Sequence, residues 1–128
     1  MLTEGDIARI ASRIVKGYGP LAVATFGSYA TGRARASSDL DLVVIKETPQ
    51  DGTARRGAVR RLLFGVLNPV DIHVFRPEEF EENAAEDLSF EWVIARQAKL
   101  YYWCEEAKRR VPSLFLAHNG GGNVAVGG

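Results

Sequence analysis

A chain of 128 residues, 46% apolar and 25% charged, has the size and composition of one folded domain, which excludes a large multidomain enzyme and a disordered chain. Its 16 Lys and Arg balance 16 Asp and Glu, so direct nucleic-acid binding driven by net charge is not expected. Cys104 is the single cysteine, which excludes an internal disulfide and a cysteine-rich zinc site. No run of about 18 apolar residues marks a membrane span, and the first residues lack the basic and apolar blocks of a signal peptide, so the expectation is a cytoplasmic protein.

The even balance hides a polarity. Residues 1–76 carry 11 basic and 7 acidic side chains, whereas 77–128 carry 5 and 9. Thr3-Glu4-Gly5-Asp6 has the form of a capping box, and Ile7, Ile10, Ala11, Ile14 and Val15 repeat with helical spacing, which predicts a helix from about residue 4. Gly17, Gly19 and Pro20 predict its end. Leu21 to Phe26 reads as a buried strand closed by Gly27-Ser28, and Asp39 to Ile45 as the next strand. The stripe Val59, Leu62, Leu63, Val66, Leu67 predicts a helix over 53–67, with Arg55, Arg56, Arg60 and Arg61 on its solvated side.

After the Asn68-Pro69 turn signal, Val70 to Phe75 reads as a third strand. Pro77 opens an acidic helix through the Glu78 to Asp87 stretch, and Ser89 caps another running to about Gln97, with Phe90, Val93 and Ile94 facing inward. A short strand over 100–103 and a helical piece from Cys104 to Arg110 follow. The glycine-rich end reads as a flexible tail, residues 113–128, behind a domain of residues 1–112.

Gly27-Ser28-Tyr29-Ala30-Thr31-Gly32-Arg33-Ala34 directly follows a strand and has the glycine spacing of a phosphate-binding P-loop. Arg33 and Ala34 stand where that loop needs Lys and Ser or Thr, so metal ligands must come from elsewhere. Asp39-Leu40-Asp41 supplies them, because alternation along a strand puts both carboxylates on one face. At about 4 Å and an effective dielectric of about 20, such a pair repels by roughly 4 kcal/mol, which a bound cation would offset. Hard oxygens in twos and threes suit Mg²⁺. Asp71, inside Val-Asp-Ile-His-Val, is the candidate third carboxylate and shares a face with His73.

This constellation of strand, Gly27-Ser28, Gly32, Ser38-Asp39-Leu40-Asp41 and a later Asp71 resembles the nucleotidyltransferases of the DNA polymerase β superfamily. It is most similar to the minimal single-domain members (MNT), including the antitoxin half of HEPN/MNT toxin-antitoxin pairs. The resemblance spans residues 5 to 104. It implies an α/β (α+β) fold, a small mixed β-sheet packed by helices. It also implies an enzyme that uses Mg²⁺ to transfer a nucleoside monophosphate, AMP from ATP, to a hydroxyl of a cognate HEPN toxin.

On that reading Asp39, Asp41 and Asp71 are catalytic and metal-binding, and Gly27, Ser28, Gly32, Arg33 and Ser38 are nucleotide-binding. Gly27 would let the backbone approach a triphosphate while the Ser28 hydroxyl and loop amides donate to its oxygens. Two alternatives stay open: an antitoxin that acts by occlusion with a vestigial site, and the catalytic half of a small-molecule transferase completed by a second subunit. A homo-oligomer is compatible with either. Because a ribonuclease must be basic near its RNA site, the acidic Glu78 to Asp87 stretch is the expected partner surface, with the arginines of the 33–61 region as the other candidate.

Overall fold

The computed structural model describes residues 1–118 and the backbone of 126–127. In chain order the elements are α1 (Glu4–Tyr18), β1 (Ala22–Phe26), α2 (Ser28–Thr31), β2 (Leu40–Ile45), α3 (Gly52–Leu62), β3 (Val70–Phe75), α4 (Pro77–Ala84), α5 (Phe90–Gln97), β4 (Lys99–Trp103), α6 (Glu105–Arg110), a 3₁₀ turn (Pro112–Phe115) and β5 (Val126–Gly127). The strands form one mixed sheet in the order β3-β2-β1-β4-β5. β1 runs antiparallel to both β2 and β4, while β2 and β3 are parallel, as are β4 and β5.

The local signals explain why the elements begin where they do. Thr3 Oγ1 accepts from the Asp6 N–H at 3.1 Å and the Thr3 N–H donates to Asp6 Oδ2 at 2.8 Å, which closes the capping box of α1. Gly19, left-handed at φ 65°, ends that helix. Asp51 caps α3 by accepting from Ala54, and Ser89 caps α5 by accepting from Trp92.

Strand alternation then sorts the core into two layers. On one face Val23, Leu40, Leu42 and Val44 pack with Ile7, Ile10 and Ile14 of α1 and Val59 of α3. On the other, Ala22, Ala24, Val43 and Ile45 pack with Phe80 of α4, Ile94 of α5 and Ala107 of α6. Every residue of β1 is buried.

Four sequence expectations need correction. The helix expected over 53–67 stops at Leu62, and Gly65 follows with φ 92°. Of its apolar stripe Val59 and Leu63 are buried and Val66 packs against the core, but Leu67 (94% exposed) and the neighbouring Phe64 (88%) stand in solvent. Phe90 is 47% exposed rather than inward, since it sits in the first turn of α5 at the edge of the layer.

Arg55, expected on a solvated face, is only 4% exposed. Its guanidinium donates to the Gln50 carbonyl (2.6 Å), the Val74 carbonyl (3.3 Å) and Glu79 Oε1 (3.0 Å), tying α3 to β3 and α4. Removing one member of such a set strands the others away from water. Arg55→Met should therefore lower stability by about 2–3 kcal/mol in urea unfolding, whereas exposed Arg56→Met should stay within about 0.5 kcal/mol.

The expected flexible tail begins too early. Leu114 and Phe115 belong to the buried core, and Ser113 donates from its N–H (3.1 Å) and its hydroxyl (2.6 Å) to Glu81. The packed domain thus continues past residue 112 to at least the 3₁₀ turn. Residues 119–125, where the tail is richest in glycine, lie outside the described residues. Among the described residues no helix is long and apolar enough to cross a membrane.

Candidate functional site

The candidate residues gather at one end of the sheet, where β1 finishes and β2 and β3 begin. Asp41 sits opposite Phe26 of β1 and opposite Asp71 of β3, so the parallel register of β2 and β3 alone sets two carboxylates side by side. Asp39 is exposed, immediately before β2.

The electrostatics follow from this placement. The Asp41 carboxyl is pushed up to about 6, first by burial, then by the charges of Asp71 and Asp39 and a hydrogen bond with Asp71. Among the described residues no three His, Cys, Asp or Glu side chains form a ready-made metal cluster. The arrangement is a contacting pair, Asp41 and Asp71, with Asp39 within electrostatic reach. Its donors are all hard carboxylate oxygens, and their mutual repulsion is of the kind that a divalent cation relieves, so the set fits Mg²⁺.

The glycine loop abuts this pair. Gly27 adopts φ 73°, ψ −150°, a region open to glycine, and a Cβ placed there would lie 2.6 Å from Asp41 Oδ2. The Gly27 carbonyl accepts from Ala30 N–H, Thr31 N–H (both 3.0 Å) and the Thr31 hydroxyl (3.1 Å), which winds the four-residue α2. Gly32, at φ 79°, closes that turn in the left-handed conformation, and the Arg33 N–H returns to the Ser28 carbonyl at 2.9 Å. Ser28 is half-buried beside Gly27, and Arg33 is exposed at the loop's far end. Ser38 braces the approach to the site, since its hydroxyl accepts from the Arg35 N–H at 2.8 Å in the turn leading to Asp39.

Phe26, His73 and Phe90 wall the site on the α5 side, with ring centroids 5.1–5.5 Å apart. Burial holds the His73 imidazole below its usual pKa; the Asp71 charge opposes this and Arg56 adds to it. His73 is therefore a packed ring beside the carboxylates.

One residue of this region escaped sequence reasoning. Gln97, the last residue of α5, accepts the Gly27 N–H on its Oε1 at 3.1 Å. A lone Gln at a helix end gives no motif, and the contact spans 70 residues of sequence. Gln97→Leu should free the loop's first amide and weaken nucleoside triphosphate binding about tenfold, a loss of one hydrogen bond. Titration of the triphosphate against wild type and variant, with thermal unfolding as the fold control, measures it.

Together the sheet order, the glycine loop against Asp41 and the Asp41–Asp71 pair define a polymerase β-like nucleotidyltransferase fold. The sequence pattern of the nucleotidyltransferase domain matches residues 6–109, and the chain belongs to that family. Among curated proteins none matches it in sequence.

Solved structures share the fold, among them the following three. A proposed nucleotidyltransferase from Sulfolobus solfataricus superposes with TM-score 0.53 at 21% identity, over 76% of this chain and 77% of its own. A toxin-antitoxin complex with AMP-PNP gives 0.57 at 16% identity, over 87% and 86%. A mutant toxin-antitoxin MntA-HpeT complex gives 0.56 at 14%, over 92% and 88%. At these identities the likeness speaks for the fold.

Proposed function

We propose that the chain is a cytoplasmic, Mg²⁺-dependent protein nucleotidyltransferase that moves AMP from ATP to a side-chain hydroxyl of a HEPN-type toxin and thereby neutralises it. The observation that carries this reading is the contact between Gly27 and the Asp41 carboxylate, beside Asp71: a loop fit for phosphates meets a crowded set of carboxylates. Family membership supports nucleotide transfer, and the toxin-antitoxin complexes of the same fold, one of them with AMP-PNP, support the kind of partner.

In the proposed reaction an oxygen–phosphorus bond forms between the acceptor hydroxyl and the α-phosphorus as the bond to the β-phosphate bridge breaks. Pyrophosphate leaves, and the hydroxyl proton passes to water. Asp39, Asp41 and Asp71 would hold Mg²⁺, which supplies the charge that neutralises the triphosphate and makes the acceptor oxygen more nucleophilic. The chain's own part is positioning and charge compensation. Gly27 lets the backbone close on the phosphates, Ser28 and Arg33 offer donors beside them, and Gln97 holds the loop. The packed rings of Phe26, His73 and Phe90 keep water from one side of the carboxylates.

An antitoxin acting by occlusion alone has no use for a half-buried carboxylate held against a second one, with a third in electrostatic reach, which favours the enzyme over that alternative. Calorimetric titration with ATP, GTP, CTP and UTP, with and without Mg²⁺, tests the nucleotide half of the reading. Saturable, Mg²⁺-dependent binding with ATP preferred is expected; no binding of any triphosphate would reject it.

A further inference from the structure

The surface expected to meet the partner is in part committed to the fold. Of the acidic α4 residues, Glu78 pairs with Arg110, Glu79 with Arg55, and Glu81 with the Ser113 hydroxyl and amide. Arg110 also holds Glu47 and Glu106, and these carboxylates raise its pKa further above the usual guanidinium range. Half of the acidic stretch is therefore an internal clamp between α4, α6 and the 3₁₀ turn, while Glu82, Glu86 and Asp87 stand exposed beside it.

The opposite layer differs. Between the α1 residues Leu2, Asp6, Arg9 and Arg13 and the 65–68 segment lies a groove of about 430 Å³. Its lip carries the apolar side chains left over when α3 stops early, Phe64 and Leu67, both almost wholly in solvent. Its charge is one-sided. Arg9 and Arg13 line it, Arg13 donating to the Phe64 carbonyl (2.7 Å) and Arg9 pairing with the single lining carboxylate, Asp6, which leaves the lining net positive; Arg60 donates to the Val70 carbonyl (3.2 Å), two residues past Asn68 of the groove.

Two hydrogen bonds fix where the groove opens. The Leu2 N–H donates to the Tyr29 hydroxyl of α2 at 3.1 Å, one residue from Ser28. The Leu40 N–H donates to the Pro69 carbonyl at 3.0 Å, one residue from Asp39. Both edges of the groove are thus anchored to the end of the sheet that carries the carboxylates.

We infer that this groove docks the protein acceptor, and that the segment it takes is acidic and amphipathic, with apolar side chains for Phe64 and Leu67 and carboxylates for Arg9, Arg13 and Arg60. The inference rests on the proposed protein acceptor. A solvent-exposed Phe and Leu flanking a groove with basic side chains fit such a segment: the apolar contact supplies affinity, and the charge speeds encounter and selects orientation. The groove sits on the α1 and α3 face, at the same end of the sheet as Asp39 and Asp71, so a segment seated here approaches that end from the other face.

The test uses the full chain and, as probe, the purified protein encoded by the adjacent reading frame, followed by surface plasmon resonance at several salt concentrations. Phe64→Ser/Leu67→Ser should weaken binding about tenfold or more with ATP binding unchanged, because neither side chain is buried. Arg9→Glu/Arg13→Glu should slow association and flatten its salt dependence. Failure of the wild type to bind, or variants that bind and are salt-sensitive like the wild type, overturns the inference. A self-associating wild type made monomeric by Phe64→Ser/Leu67→Ser assigns the groove to a second copy and overturns it as well. Weakened binding by the variants with no nucleotide transferred by the wild type leaves the groove standing and rejects the transferase. Undiminished binding and transfer by the variants does the reverse.

Discussion

Asp41→Asn should abolish nucleotide transfer while making the metal-free protein at neutral pH more stable. Asp41 is the carboxylate pressed by both others, so its loss removes a proposed metal ligand and an electrostatic element together. The expected fall in rate is at least about 10²–10³-fold, the scale of deleting one electrostatic group from an active site. The stability gain follows from the direction of the pKa shift. Burial, Asp71 and Asp39 raise the folded-state value to about 6 from 3.8, so the folded protein holds the Asp41 proton more tightly than the unfolded chain does.

Wild-type stability from this group is therefore complete below about pH 4 and is lost as pH rises through about 6. Asparagine does not ionise, so the variant escapes that loss. Relief of about 1 kcal/mol would raise Tm by roughly 4 °C in a chain of this size. Calorimetric scans in chelator at pH 4 and pH 7 measure it: the variant's advantage should appear at pH 7 and shrink at pH 4. Equal Tm at pH 7 with unchanged transfer would remove Asp41 from the site.

Gly27→Ala should do the opposite to stability and the same to function. The new methyl group would stand 2.6 Å from Asp41 Oδ2, in a backbone conformation of φ 73°, ψ −150° that L residues rarely adopt. A cost of about 1–3 kcal/mol is expected in urea unfolding, together with loss of triphosphate binding as the loop moves away from the carboxylates. Gly32→Ala is the informative contrast. Gly32 is also left-handed, at φ 79°, but no atom lies within 4 Å of the Cβ position, so only backbone strain remains and nucleotide affinity should fall less. Two equal losses of affinity would show that close approach to Asp41 is not what Gly27 provides.

What the sequence revealed and what it hid divide along physical lines. Signals that act within a few residues were legible: the Thr3–Asp6 capping box, the Ser89 cap and Pro77 opening α4. The third carboxylate was legible for a similar reason, since Asp71 interrupts an apolar run, although its partner could be known only from the register of β2 against β3.

Long-range pairings were not legible. Arg55 looks like its neighbours Arg56, Arg60 and Arg61 until Glu79 and the Val74 carbonyl close on it. The α4 carboxylates look like a free acidic face until Arg110 and Ser113 arrive from more than thirty residues away, as the 32-residue separations show. The apolar stripe of α3 misled because periodicity reports what could be buried, while Gly65 and the approach to β3 decide where the helix stops. Gln97 carried no signal because its role is defined by the backbone it touches.

Transfer to a protein hydroxyl at the Asp39, Asp41 and Asp71 site has one most direct measurement. The chain is incubated with ATP, Mg²⁺ and the product of the adjacent reading frame, the intact partner is weighed by mass spectrometry, and the modified peptide is mapped. The partner should gain nucleoside monophosphate on a side-chain hydroxyl, with pyrophosphate released in equal amount, and Asp41→Asn and added chelator should each prevent it. A partner that is bound and neutralised by the wild-type chain in the presence of ATP and Mg²⁺, yet never gains mass, would contradict that chemistry.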